Sequence, residues 1–183
     1  MRKKVLIVLG IVAGLIAAFL IVVALQPADF RVTRSATMAA PASDVFVQVN
    51  DFHNWDAWSP WEKIDPAMTR TFAGPTAGED AVYSWVGNQD VGEGRMTITE
   101  SREPELIRIK LEFFKPMEDV CVTEFTFKPK GGQTAVTWTM SGKHNFISKA
   151  MCLFMSMDKM IGGDFEKGLA NMKKVVESPP KQA

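Results

Sequence analysis

Few side chains in this sequence have the type and spacing for chemistry. His53 and His144 are its two histidines, and Cys121 and Cys152 its two cysteines. His53 sits between Asp51 and Asp56 and beside Trp55. An imidazole with neighbouring carboxylates is the usual agent of general acid–base work near neutral pH, so His53 is the first catalytic candidate. An ordinary surface histidine on a short helix fits the same pattern. Glu93 lies between Gly92 and Gly94 and is the second candidate, a strand carboxylate facing either a cavity or a solvated edge. His144 follows Gly142 closely and reads as a loop residue. The histidines and cysteines do not fall at zinc-binding intervals, and no Ser-His-Asp signature or Gly-rich phosphate loop is present. No metal or cofactor is therefore expected. Cys121 and Cys152 read either as two small buried hydrophobes or as one disulfide in an oxidising compartment.

The aromatic residues say more. Trp55, Trp58 and Trp61 are closely spaced, while Trp85 and Trp138 fall in strand-like stretches. Indoles of this kind either pack a core or line a pocket. Met151, Met155, Met157 and Met160 crowd one region, and methionine suits a wall that adapts to varied apolar ligands. Strand alternation and helix phase nominate Trp85, Phe113, Phe125, Trp138 and Met155 as the lining of a ligand cavity, and Trp55 and Trp58 join them from the tryptophan cluster.

A particular set of elements must position these residues. Phe30 to Met38 reads as a strand stopped before Pro41. Ala42-Ser43-Asp44 opens a helix carrying Val45, Phe46 and Val49. Asn50-Asp51 ends it and starts a second short helix with Phe52, Trp55 and Trp58, which Pro60 should end. Strands follow at Thr69 to Phe72, Val82 to Val86, Gly92 to Glu100, Ile107 to Phe113, Val120 to Phe127 and Ala135 to Ser141. The connections between them are short, which implies an antiparallel meander. From about Ile147 the period becomes helical. Gly162-Gly163 should break or kink that helix, with Asp164 capping a final segment that presents Phe165, Leu169, Met172 and Val176.

One amphipathic helix cannot cover about seven antiparallel strands if the sheet stays flat. A curved sheet gripping the helix can bury its apolar face, and the space between them is either filled as core or left as a cavity.

Ahead of this domain, Val5 to Leu25 runs without a charged side chain, preceded by Arg2, Lys3 and Lys4. As a helix the run spans about 31 Å, matching a hydrocarbon core of about 30 Å. A cleaved signal peptide has a shorter apolar core and a small-x-small exit, which Ala24-Leu25-Gln26-Pro27 fits poorly. The expected organisation is a basic flank and transmembrane anchor over residues 1–26, a domain over 27–177 and a flexible tail over 178–183. The basic flank predicts a cytoplasmic N-terminus and a periplasmic or extracellular domain. The chain has 21 basic and 21 acidic side chains, so without Arg2, Lys3 and Lys4 the remainder is acidic by three. Such a domain lacks the electrostatic footprint of a nucleic-acid binder.

Five stretches carry a family resemblance. They are Asn54-Trp55-Asp56-Ala57-Trp58-Ser59-Pro60-Trp61, Tyr83-Ser84-Trp85-Val86-Gly87-Asn88, Val91-Gly92-Glu93-Gly94, Thr137-Trp138-Thr139-Met140-Ser141-Gly142 and Asp164-Phe165-Glu166-Lys167-Gly168-Leu169. In this order they resemble the polyketide cyclase/dehydrase-like branch of the SRPBCC (START-like, helix-grip) superfamily. The resemblance spans nearly all of residues 30–177. It implies an α+β helix-grip fold with a deep hydrophobic cavity, and no single chemistry. The leading expectation is a membrane-tethered module that binds a lipid or other hydrophobic small molecule. The alternatives are a cyclase-, dehydrase- or isomerase-type enzyme using the same cavity, and a ligand-free interaction module with a filled core.

Overall fold

Seven strands form in the computed structural model, which describes residues 2–178. They are β1 (Asp29–Met38), β2 (Thr69–Ala73), β3 (Val82–Val86), β4 (Glu93–Arg102), β5 (Leu106–Lys115), β6 (Asp119–Lys130) and β7 (Gln133–Lys143). All pair antiparallel in one curved sheet of order β1-β7-β6-β5-β4-β3-β2. Strands β2 to β7 are a meander, and β1 closes onto β7. Register shifts in β4 at Glu93/Gly94 and Ile98/Glu100 add local twist, as bulges do.

Because β1 and β2 are opposite edges, the chain between them must cross the concave face. That crossing consists of α2 (Ala42–Asn50) and two 3-10 turns, Phe52–Ala57 and Pro60–Lys63. Topology thus carries the tryptophan-rich stretch over the hollow of the sheet. Pro60 opens the second turn rather than ending the first. Its fixed φ suits the first position of a helix, where no N–H is needed.

Two further helices complete the domain: α3 (Phe146–Cys152) and α4 (Met157–Glu177). The expected break at Gly162-Gly163 does not occur. Helix α4 runs through both glycines, and the interruption lies at 153–156, where Ser156 caps α4 by accepting from the Lys159 amide. A helical glycine costs about 1 kcal/mol relative to alanine, which the burial of Phe165, Leu169 and Met172 outweighs. Gly162 also has a packing role. The Arg34 guanidinium of β1 lies directly on it, where a Cβ would collide. Arg34 in turn bonds Asp158 at 2.7 Å and Glu166 at 2.6 Å, fastening α4 to the sheet edge. Asp164 pairs with Lys167 instead of capping a helix.

The solid core lies between α4 and the middle of the sheet, where Ile98, Ile107, Ile109, Phe125 and Phe127 meet Phe165, Leu169 and Met172. The helix N-terminal to the domain, α1 (Arg2–Ala24), is long and apolar enough to cross a membrane. It is exposed apart from Val23, and it touches α3. Only 25–28 separate it from β1, and the His144 amide donates to the Ala28 carbonyl at 2.7 Å. Of the expected tail, Ser178 alone is described: its hydroxyl closes α4 on the Lys174 carbonyl. Residues 179–183 lie outside the described residues.

Candidate functional site

Strand alternation puts Tyr83 and Trp85, Leu111 and Phe113, Cys121 and Thr123, and Trp138 and Met140 on the concave face. Strand register then joins them across the sheet. Tyr83 lies opposite Met96, Met96 opposite Leu111, and Leu111 opposite Cys121. This row lines one side of a cavity of about 270 Å³. The next row, Ile98–Ile109–Thr123–Met140, is already solid at its isoleucine end. Trp55, Trp61 and Glu62 from the 3-10 turns roof the hollow, and Met157 and Ile161 of α4 close its flank. The wall reaches solvent at Asp90 and is half-exposed at Asp119.

The same row fixes where the cavity sits. Cys121 pairs with Gly142, and Gly142 pairs with Phe30, one residue into β1. The hollow therefore occupies the end of the sheet at which α1 joins the domain.

Three of the four indoles on this wall have their N–H groups bonded to protein acceptors. Trp55 donates to the Val49 carbonyl at 3.1 Å, Trp85 to the Val91 carbonyl at 3.0 Å and Trp138 to the Thr123 hydroxyl at 3.2 Å. Satisfying these donors elsewhere leaves apolar walls. Trp85 lies across the β4 backbone, which only Gly94 permits. A Cβ there would stand 2.5 Å from the Trp85 ring and from the Glu112 carbonyl oxygen.

Among the polar residues of the wall, which include Ser59, Thr123, Asp90 and Asp119, Glu62 is the buried carboxylate. Tyr83 donates its hydroxyl to Glu62 Oε1 at 2.6 Å. Arg70 donates to the Glu62 carbonyl at 2.9 Å, and its Nε lies 2.7 Å from Oε2, close enough to pair charge but off the line of a hydrogen bond. Burial, reinforced by the Glu62 carboxylate, pushes the Tyr83 phenol well above its ordinary value. Burial likewise pushes the Cys121 thiol up to about 12, with a smaller push from Asp119.

Of the residues nominated from sequence, Trp55, Trp85, Phe113 and Trp138 reach the cavity wall. Trp58 and Phe125 do not. Both are fully buried behind it, their rings packed on Trp138 at 5.7 Å and 4.8 Å; Phe125 lies one row deeper than Thr123, in a row from which only its larger register partner Trp138 reaches the wall. Met155 falls in the connection before Ser156 and is half-exposed, away from the wall. His53 points outward from its turn, since Phe52 and Trp55 take the inward positions. Its ring stacks on Phe72 at 4.0 Å, and Nδ1 meets Asp51 at 2.7 Å. Glu93 also faces out, because Gly94, Met96 and Ile98 hold the inward phase of β4. It pairs with Lys115 at 2.7 Å. Cys121 is on the wall, whereas Cys152 lies 3.7 Å from His144, and both thiols are free.

Sequence reasoning missed Glu62, Tyr83, Thr123 and Met140. Tyr83 and Met140 share strand phase with Trp85 and Trp138, so alternation could have found them. No local signal marked Glu62.

The fold recurs in solved structures. Protein CV1439 from Chromobacterium violaceum aligns with a TM-score of 0.56 at 15% identity, over 84% of this chain and all of that one. The di-domain ARO/CYC BexL of the BE-7585A biosynthetic pathway aligns at 0.62 and 15% identity, over 87% of this chain and 53% of that one. The Aha1 dimer protein from Colwellia psychrerythraea aligns at 0.58 and 12% identity, over 81% and 96%. At such identities the likeness is one of fold. No curated protein matches the sequence. The family model described as polyketide cyclase / dehydrase and lipid transport matches residues 29–177, so the chain belongs to that family.

Proposed function

We propose that this protein is a membrane-tethered module that binds a hydrophobic small molecule or lipid in the cavity beneath Trp55 and Trp61. The observation that carries the reading is the wall itself, aromatic and methionine-rich, with the N–H groups of Trp55, Trp85 and Trp138 bonded to protein acceptors. At about 270 Å³ the space is near the lower end for small-molecule sites. It suits a compact ring system or part of an acyl chain rather than a whole phospholipid.

Two features support the tether. Helix α1 is uncharged from Val5 onward, and the basic residues Arg2, Lys3 and Lys4 at its start favour a cytoplasmic N-terminus with the domain on the far side. Beside its domain end, α3 and the following connection expose Phe146, Ile147, Met151, Phe154 and Met155. Apolar residues exposed together next to a span suit the interfacial layer of a bilayer. The short 25–28 linker then holds the cavity end of the sheet toward lipid.

The test is native mass spectrometry of the full chain, released from mild detergent, followed by extraction of what it retains. A stoichiometric lipid or apolar small molecule supports the reading. An empty protein that also shows no saturable uptake of apolar probes overturns it.

A further inference from the structure

We infer that the Ser59 hydroxyl is a polar anchor in the cavity, donating a hydrogen bond to a neutral oxygen acceptor on an otherwise apolar ligand. The inference rests on the ligand-binding reading above and narrows the ligand class.

Ser59 stands at the N-cap of the second 3-10 turn, directly before Pro60. A serine in that position ordinarily turns its oxygen onto an amide of the turn. Ser59 makes no such bond, although its backbone N–H is held by the Trp55 carbonyl at 2.8 Å. The residue is 3% exposed and lies on the cavity wall. Its hydroxyl bonds no other group among the described residues, yet its oxygen is not sealed in protein. Only Glu62 Oε2, which Arg70 pairs by charge, is sealed away there without a hydrogen bond. The surface left to the Ser59 oxygen opens on the hollow that the residue lines.

The other hydroxyls of the wall are already committed. Tyr83 donates to Glu62 at 2.6 Å, and Thr123 takes the Trp138 N–H and donates to the Thr139 carbonyl at 3.4 Å. Ser59 alone brings an uncommitted O–H to a largely apolar wall, where a polar group without a partner is costly. Charge sets which acceptor suits it. Glu62, Asp90 and Asp119 lie on the wall, and no lysine or arginine does. A carboxylate ligand would meet like charge, whereas a carbonyl or alcohol oxygen takes the proton without adding any.

The experiment uses two probes of the same shape, 2-acetylnaphthalene and 2-isopropenylnaphthalene, which differ by a carbonyl oxygen in place of a methylene. Radiolabelled probe is measured at pH 7 on the full chain in lipid nanodiscs, with counts on empty nanodiscs subtracted. Ser59→Ala is expected to weaken the ketone about fivefold and the alkene by less than about twofold. In the unmodified chain, 2-naphthoate should bind more weakly than the ketone, and tighter binding overturns the preference for a neutral group. Equal losses for ketone and alkene, or no loss for either, overturn the anchor and leave the cavity reading standing. Saturable binding of neither probe to the unmodified chain overturns both together. A second measurement needs no variant. The isotope-edited carbonyl stretch of bound 2-acetylnaphthalene should lie below its position in hexane, and an unshifted stretch overturns the anchor even if Ser59→Ala fails to fold.

Discussion

Trp138 and Phe165 lie face to face, their ring centroids 4.0 Å apart and their planes 5° from parallel. The stack joins β7 to α4 at the border between the solid and the hollow halves of the domain. Phe165 has no exposed surface, while Trp138 also lines the cavity.

Phe165→Ala should therefore cost about 3–5 kcal/mol, the usual range for emptying a fully buried aromatic site. Guanidinium unfolding followed by tryptophan near-UV dichroism measures it. A loss below about 1 kcal/mol would show that the stack does not hold α4 in place.

Arg34 and Gly162 should be strongly coupled. In the unmodified chain, Gly162→Ala drives a methyl group into the pinned guanidinium and is expected to destabilise by about 1–3 kcal/mol. In an Arg34→Ala background the same change should stabilise by about 1 kcal/mol, through helix propensity alone. A double-mutant cycle on unfolding free energies reads the sign reversal, and additive effects would contradict it.

The exposed face of α3 and its connection should sit in lipid. A nitroxide on Phe154→Cys, in a background lacking both native cysteines, should be more accessible to oxygen than to a water-soluble nickel reagent. The same label on Gly131→Cys, at the far β6–β7 turn, should show the reverse. Equal profiles at the two sites in nanodiscs would separate α3 from the bilayer.

Cys121 should impose an alkaline limit on stability. Its folded thiol is held up to about 12 against an ordinary value of 9.0. The unfolded chain thus ionises first as pH rises. The stability contributed is complete below about pH 9 and disappears as pH climbs toward 12. Cys121→Ala should lose less stability across that window than the unmodified chain does, although it is less stable at pH 7.

His53→Ala and Glu93→Gln should bind apolar probes within about twofold of the unmodified chain. Both side chains are directed away from the cavity, one stacked on Phe72 and the other paired with Lys115. A tenfold loss at either would place it in the site after all.

Much of the architecture is legible in the sequence alone. Alternation from Ile107 to Phe113 marks β5, and the change of period after Ser141 marks the passage from sheet to helix. Local rules misplaced the break in the C-terminal helices. Gly162 reads as a helix breaker in isolation, but its space is required by Arg34, which is distant in the chain. Helical phase points Met155 at a cavity wall only if the helix is counted past its end at Cys152.

What the sequence determined by itself was the membrane-length span, the strands and their inward phase, because each follows from periodicity and burial within a few residues. Which inward residues meet empty space was decided only by tertiary structure. Phe125 and Thr123 share one phase on β6, yet Phe125 is sealed in core and Thr123 borders the cavity. The difference lies in cross-strand register and in where α4 begins. The pairing of Glu62 with Tyr83 was equally invisible. Nothing local links a 3-10 turn to a strand, and their contact forms only because the chain must cross the concave face between the two edges of the sheet.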